Sequence, residues 1–221
     1  MLDAPDLPAA ALDAASAAAW DAGLRVLQGV RLGPDDASHV RRLLELLDPP
    51  AGSHVLDVGC GFGEVARLME AARPDLSFVQ LNRNAGQLAR ADGPRVLADM
   101  HAMPLADASV DGALVLYTLC HADVPVLLAE LARVVRPGGF VFVYDHARMA
   151  GDGAEAERVL CARFHPADWL MRQAGAVGLH TVWLRNAAGD DAVFRGLFHD
   201  AAAYRRIFSG LVPMAWRLVR T

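Results

Sequence analysis

Asp57 stands two residues ahead of three glycines at alternate positions, Gly59, Gly61 and Gly63, in the run VLDVGCGFG at 55–63. Glycine lets a backbone turn tightly and approach a ligand more closely than any Cβ permits. A dinucleotide fingerprint spaces its glycines G-x-G-x-x-G, so that a pyrophosphate meets a helix N-terminus. Here the spacing is G-x-G-x-G, and the neighbouring carboxylate would repel a pyrophosphate but suit a cationic ligand of nucleoside size. A glycine turn that binds nothing is the plain alternative. Proton chemistry has its own candidates in His121 and His146, each just beyond an apolar run, because imidazole titrates near neutrality.

These groups need elements to hold them. The β-branched run Val55 to Val58 reads as a buried strand, and Glu64 to Ala72 as the helix that follows the glycines, together one half of a nucleotide-binding unit. Downstream, strand-like runs at 76–81, 95–98, 112–117 and 139–145 alternate with helical stretches at about 62–73, 84–91 and 123–135, with Pro137-Gly138-Gly139 as a turn into the fifth strand. Alternation implies parallel crossovers, and therefore helices on both faces of the sheet. A helix at 166–174 and strands at 179–184 and 214–220 complete the pattern. The expected fold is α/β, a mostly parallel seven-stranded sheet in a Rossmann-like sandwich.

Residues 1–50 read as a helical cover. An alanine-rich stretch at 8–19 reaches its first large apolar anchor at Trp20; after Pro34, acids at 35 and 36 open a helix whose Val40, Leu43, Leu44 and Leu47 recur at helical spacing until Pro49-Pro50. Residues 51–221 then form one ligand-binding domain, since 221 residues suffice for one full α/β domain and little more.

A net charge of −5 argues against a broad grip on nucleic acid, and the late arginines Arg195, Arg205, Arg206, Arg217 and Arg220 read as a solvated face. Cys60, Cys120 and Cys161 have neither zinc-type spacing nor even pairing, which fits a reducing cytoplasm. The acidic N-terminus lacks the positive start of a secretory signal, and no apolar run is long enough to cross a membrane. The expected partner is a small molecule, with no nucleic acid and no membrane; the oligomeric state is left open.

Ligands of parallel sheets sit beyond the carboxyl ends of the strands. There the sequence places LNRNAGQL (81–88), Asp99-Met100, YTLCHAD (117–123) and VYDH (143–146). The amide of Asn82 could hydrogen-bond a ribose, and Asp99 could accept from an adenine amine or cap its own turn. The Asp57-x-Gly-x-Gly-x-Gly run resembles the first motif of class I S-adenosylmethionine (SAM) methyltransferases. More narrowly, LNRNAGQL, the Cys120-His121-Ala122 core, VYDH and the RVVRPGGF turn (133–140) resemble the C-methyltransferases that act on sterol side chains. The resemblance spans about 55–146. It implies SAM as cofactor, held by Asp57, Gly59, Cys60, Gly61, Gly63, Asn82, Arg83, Gln87, Asp99, Met100 and Tyr117. Two departures stand out: Tyr117 replaces a glutamate of that family, and the sequence is shorter, with no match after 150. A prenyl diphosphate or small terpenoid therefore fits better than a full sterol.

The implied reaction is attack of an alkene on the sulfonium methyl, leaving a carbocation to be shielded from water and deprotonated. His121 and His146 are candidate bases, Tyr117 lies beside them, and Asp145 could orient a base or bind magnesium. Aromatic faces stabilise cations, which draws in Trp20, Phe62, Tyr117, Tyr144, Phe164 and Trp169. The apolar stripe at 192–208, with Phe194 and Phe198, is either core or a pocket wall. Expected cleft elements are 147–165 and 190–210. A diphosphate would need Arg163 and His165, and would bring magnesium with it. The alternatives are an O- or N-methyltransferase of a polyketide or phenol, and a binding or cyclising protein that keeps SAM as an electrostatic element. Base methylation is disfavoured by the acidic charge and by the lack of an Asn/Asp-Pro-Pro-aromatic run.

Overall fold

The computed structural model describes residues 36–149, 153–187 and 205–221. In sequence order the elements are α1 (Asp36–Leu47), β1 (His54–Val58), α2 (Glu64–Ala72), β2 (Ser77–Asn82), α3 (Ala85–Leu88), β3 (Arg95–Leu97), β4 (Val110–Leu116), a 3-10 turn (Leu119–His121), α4 (Val124–Val134), β5 (Val135–Arg148), α5 (Ala154–Leu160), α6 (Ala167–Ala176), β6 (Leu179–Asn186) and β7 (Leu211–Arg220). Seven strands form one sheet in the order β3-β2-β1-β4-β5-β7-β6. β1 to β5 run parallel, while β7 enters antiparallel between β5 and β6.

Strand alternation sends side chains to both faces. Val58, Val115, Val143 and Trp216 pack on one face with Leu127, Leu128 and Leu131 of α4 and Leu170 of α6. Phe78, Leu114, Phe142 and Tyr144 pack on the other with Leu43 and Leu47 of α1 and Ala66 and Met69 of α2. Sealed on both sides, β1 and β4 can be almost wholly apolar. This is the expected α/β sandwich.

The details depart from expectation in two places. The helix predicted at 84–91 is one turn, Ala85–Leu88, opened by Asn84, whose side chain accepts the Gln87 N–H. Pro137-Gly138-Gly139 does not precede β5 but bulges within it: Val110 pairs with Val135, and the next paired residue, Gly112, faces Phe140. Of the cleft element predicted at 147–165, the first residues continue β5 and 154–160 form α5. Of the helical cover, α1 packs on the core; residues 1–35, with Trp20, and 188–204, with Phe194 and Phe198, lie outside the described residues. No described helix is long and apolar enough to cross a membrane.

Candidate functional site

The backbone leaves β1 through Gly59, Gly61 and Gly63, whose φ angles of 72°, 57° and 77° lie in the left-handed region. The N–H groups of Gly59 and Cys60 both donate to the Leu81 carbonyl, at 2.8 and 3.1 Å, which ties the turn to the end of β2. A Cβ on Gly59 would stand 2.4 Å from Thr118 Cγ2, and one on Gly63 would stand 2.0 Å from Gln80 Oε1. A Cβ on Gly61 would meet nothing within 4 Å. Two of the glycines are therefore required by protein packing, and the middle one faces open space where a ligand can meet bare backbone.

Asp57 is 3% exposed, and desolvation pushes its carboxyl up to about 7. A cationic ligand would favour the ionised form that burial opposes. The Cys60 thiol is pushed up to about 12, first by burial and then by Asp57, so it is no nucleophile at neutral pH.

At the end of β2, Asn82 is a latch. Its Nδ2 donates to Gly61 O (3.1 Å) and Gln87 Oε1 (3.0 Å), and its Oδ1 accepts from Asn84 N (3.1 Å). The expected ribose ligand is thus already holding the glycine turn in shape. Beyond β3, Asp99 Oδ1 accepts from the N–H of His101 (2.9 Å), an Asx turn, and lies 2.7 Å from His101 Nδ1. Since Nε2 of the same ring accepts from Asp123 N at 2.9 Å, its neutral form carries the proton on Nδ1, facing Asp99. Burial raises the Asp99 carboxyl, but the His101 bonds and the charge of Arg83 outweigh it and leave a lowered value. Arg83 is exposed and its charge reaches both Asp99 and His121. Met100 is buried in the core with Val58 and Leu81.

The ends of β4 and β5 carry the groups for chemistry. Thr118 Oγ1 donates to Leu116 O (2.9 Å) and reaches Gly59 O at 3.4 Å, setting this segment against the glycine turn. Tyr117 is half-buried at φ 54°, a left-handed angle uncommon for a bulky residue. Its phenol hydrogen-bonds His39 Nε2 of α1. Tyr144 sets its ring edge-on to both, with centroids 5.6 Å away.

Asp145 is 2% exposed and burial raises it to about 6. Its Oδ2 accepts from Cys120 N (3.1 Å) and its Oδ1 from His146 N (2.7 Å), so it braces the 3-10 turn. The His146 ring nitrogen Nδ1 is 4.0 Å from Oδ1, beyond hydrogen-bond range, so Asp145 holds the backbone of His146 rather than its ring. Each Asp145 oxygen is thus engaged by a backbone N–H, and the described residues contain no group of three His, Cys, Asp or Glu side chains that could hold a metal ion.

Burial lowers His146 to about 3, and its ring lies 4.5 Å from that of Phe208 and edge-on to Phe164 at 6.2 Å. His121 is lowered by burial, opposed by a bond to the Cys161 backbone. His165 stacks on Trp169 at 4.2 Å, and Arg163 is exposed, with its N–H donating to Cys120 O at 2.6 Å. The structure thus brings Asp57, Gly61, Asn82 and Gln87 together, and separately gathers Tyr117, Tyr144, His146 and Phe164. Sequence reasoning missed His39, Thr118, His101 and Gln80. Only His101 left a signal, two residues beyond an Asp.

Residues 56–143 match the methyltransferase domain family. Among curated proteins, a malonyl-[acyl-carrier protein] O-methyltransferase of Dechloromonas aromatica is 36% identical over 48% of this chain and 44% of its own length. A 24-methylenesterol C-methyltransferase 2 of Oryza sativa subsp. japonica is 33% identical over 48% of this chain and 32% of its own length. The matched region thus spans less than half the length of either relative. Among solved structures, geranyl diphosphate C-methyltransferase from Streptomyces coelicolor superposes with a TM-score of 0.74 at 12% identity, covering 84% of this chain and 79% of that one. Residues 56–143 are thus similar to a methyltransferase domain, and the fold is shared with solved methyltransferases.

Proposed function

We propose that the protein transfers the methyl group of SAM to a carbon of an isoprenoid double bond in a small hydrophobic acceptor, a prenyl diphosphate or small terpenoid. When bound, SAM supplies an electrophilic methyl on a sulfonium. Gly61, Asp57 and the Asn82–Gln87 latch suit it: open space against bare backbone, beside a buried acid that gains a counter-charge. The reading rests on one observation, the apolar aromatic wall beside that turn, made by Tyr117, Tyr144, His146, Phe164 and Phe208.

An alkene that takes the methyl becomes a carbocation, which aromatic faces stabilise and from which water must be kept. The carboxylate of that wall, Asp145, is turned onto backbone N–H groups. His146, neutral through burial, can accept a proton from so strong a carbon acid despite its low basicity. His121 is the second candidate base. The name of the rice relative, a C-methyltransferase, agrees with this reading.

The name of the Dechloromonas relative favours a second reading, O-methylation of another small natural product. Incubating the protein with labelled SAM and prenyl diphosphates, terpenoids and phenols, with and without magnesium, separates the two. NMR of the product would place the new methyl on carbon. Transfer confined to phenols would reject the isoprenoid reading. His121→Ala and His146→Ala should each lower turnover more than SAM affinity.

A further inference from the structure

We infer that Tyr117 and His39 act as a proton-accepting pair on the methyl acceptor, with the phenol touching the acceptor and His39 positioned behind it. This rests on the methyl-transfer reading and adds a residue from α1 that lies outside the 56–143 domain.

Placement is the first ground. Tyr117 follows β4, whose Val115 is paired with Val58 of β1, so it leaves the sheet beside the glycine turn. Thr118 closes that gap against Gly59. Tyr117 remains half-buried, while His39 is 2% exposed. The pair therefore has an outer phenol and an inner imidazole.

Its construction is the second ground. Three segments converge to fix it: Tyr117 follows β4 directly, α1 supplies His39, and β5 supplies Tyr144, whose carbonyl accepts the Tyr117 N–H at 2.8 Å. The φ of 54° at Tyr117 is strained for a non-glycine residue, and such conformations persist where surrounding structure over-determines them. A tyrosine serving as core filler would need neither that angle nor an imidazole at its hydroxyl.

The chemistry balances. The acceptor–methyl bond forms as the methyl–sulfur bond breaks, and the sulfur keeps its electron pair. The acceptor's proton passes to Tyr117 Oη while the phenol's own proton passes to His39 Nε2. A positive charge lost at sulfur is regained on an imidazolium nearby, so the net charge of the closed site does not change. The relay serves a hydroxyl or a carbon next to a cation alike.

The test joins kinetics with a measurement that needs no turnover. In the ligand-free protein, the Nε2 15N resonance of His39 should move on Tyr117→Phe, which removes its partner. In the labelled-SAM assay, Tyr117→Phe and His39→Ala should each lower kcat about 100-fold or more, the usual range for a lost general base, with affinity for S-adenosylhomocysteine within about twofold. His39→Gln keeps a hydrogen bond to the phenol but cannot take up a proton, so it should be as slow as His39→Ala. Added imidazole should rescue His39→Ala and not Tyr117→Phe. Wild-type kcat in Tyr117→Phe or His39→Gln, or an unmoved resonance, would overturn the pair while leaving methyl transfer standing. Failure of the wild-type protein to methylate any acceptor would instead remove the methyl-transfer reading, and the pair with it.

Discussion

The glycine turn and the aromatic wall sit side by side at the carboxyl ends of the central strands β1, β4 and β5, yet they are built on opposite principles. The turn is shaped by backbone angles and neutral hydrogen bonds, such as those from Asn82 to Gly61 and Gln87, all within one strand–turn–helix–strand unit. The wall is shaped by burial: His39, Tyr144 and His146 come from α1 and β5, Phe164 and Phe208 from segments far along the sequence, and desolvation sets the charge state of Asp145 and His146. A surface meant for one invariant ligand can be written into a few consecutive residues. A surface meant for a hydrophobic acceptor must be assembled from the whole fold, and its polar groups carry the energetic consequences of being dry.

Asp57 belongs to the turn but is buried like the wall, and it should give the largest effect. Its folded carboxyl, near 7, lies above the unfolded value of about 3.8, so protonation stabilises the fold below that lower value and the benefit is lost as pH rises through 7. Asp57→Asn should thus match the ligand-free wild type in urea melts at pH 4 and exceed it at pH 8, by up to about 4 kcal/mol. Calorimetry should show wild-type SAM affinity rising from pH 6 to 8 with proton release, and Asp57→Asn should lose both.

Gly63→Ala comes next. A left-handed alanine forced against Gln80 and Ala91 should cost about 3 kcal/mol in denaturant melts, whereas Gly61→Ala should cost about 1 kcal/mol and instead weaken S-adenosylhomocysteine binding more than tenfold. Equal losses of stability would erase the distinction between filled and open faces. On the wall, His146 has a folded value near 3, below its unfolded value of about 6.5; the stability gained from a neutral ring is present above 6.5 and lost as pH falls toward 3. His146→Phe should therefore gain about 2 kcal/mol over wild type near pH 4.5, even as turnover falls. The smallest change is Asn82→Ala, about 1 kcal/mol of stability with weaker cofactor binding and an unchanged acceptor KM.

The same division explains what could be read from the sequence. The run at 55–63, the alternation of strands and helices, and the apolar face of α1 were legible because each is set by neighbours a few residues away. Pro137-Gly138-Gly139 misled because a bulge lets β5 absorb residues that normally end a strand. Helix α5 was missed: it is seven residues long and begins at a left-handed Gly153 without a capping side chain. Asn82 was legible as polar and well placed, but its three bonds to Gly61, Gln87 and Asn84 depend on where the turn folds back. The partnership of Tyr117 with His39 spans 78 residues of sequence, and no local pattern joins them.

The insertion of β7 between β5 and β6 governs the order in which the molecule can be finished. Residues Phe140 to Arg148 pair with Val219 to Leu211, nine rungs that close over the longest separations in the sheet's second half. β6 has no seat beside β5 and must wait for β7 to come between them. During synthesis the turn and the parallel strands can form early, while β5 keeps an open, apolar edge until synthesis has passed residue 220. Folding should therefore be slow at its last step, and a ribosome-bound intermediate should already hold the cofactor turn while still exposing an edge that chaperones recognise.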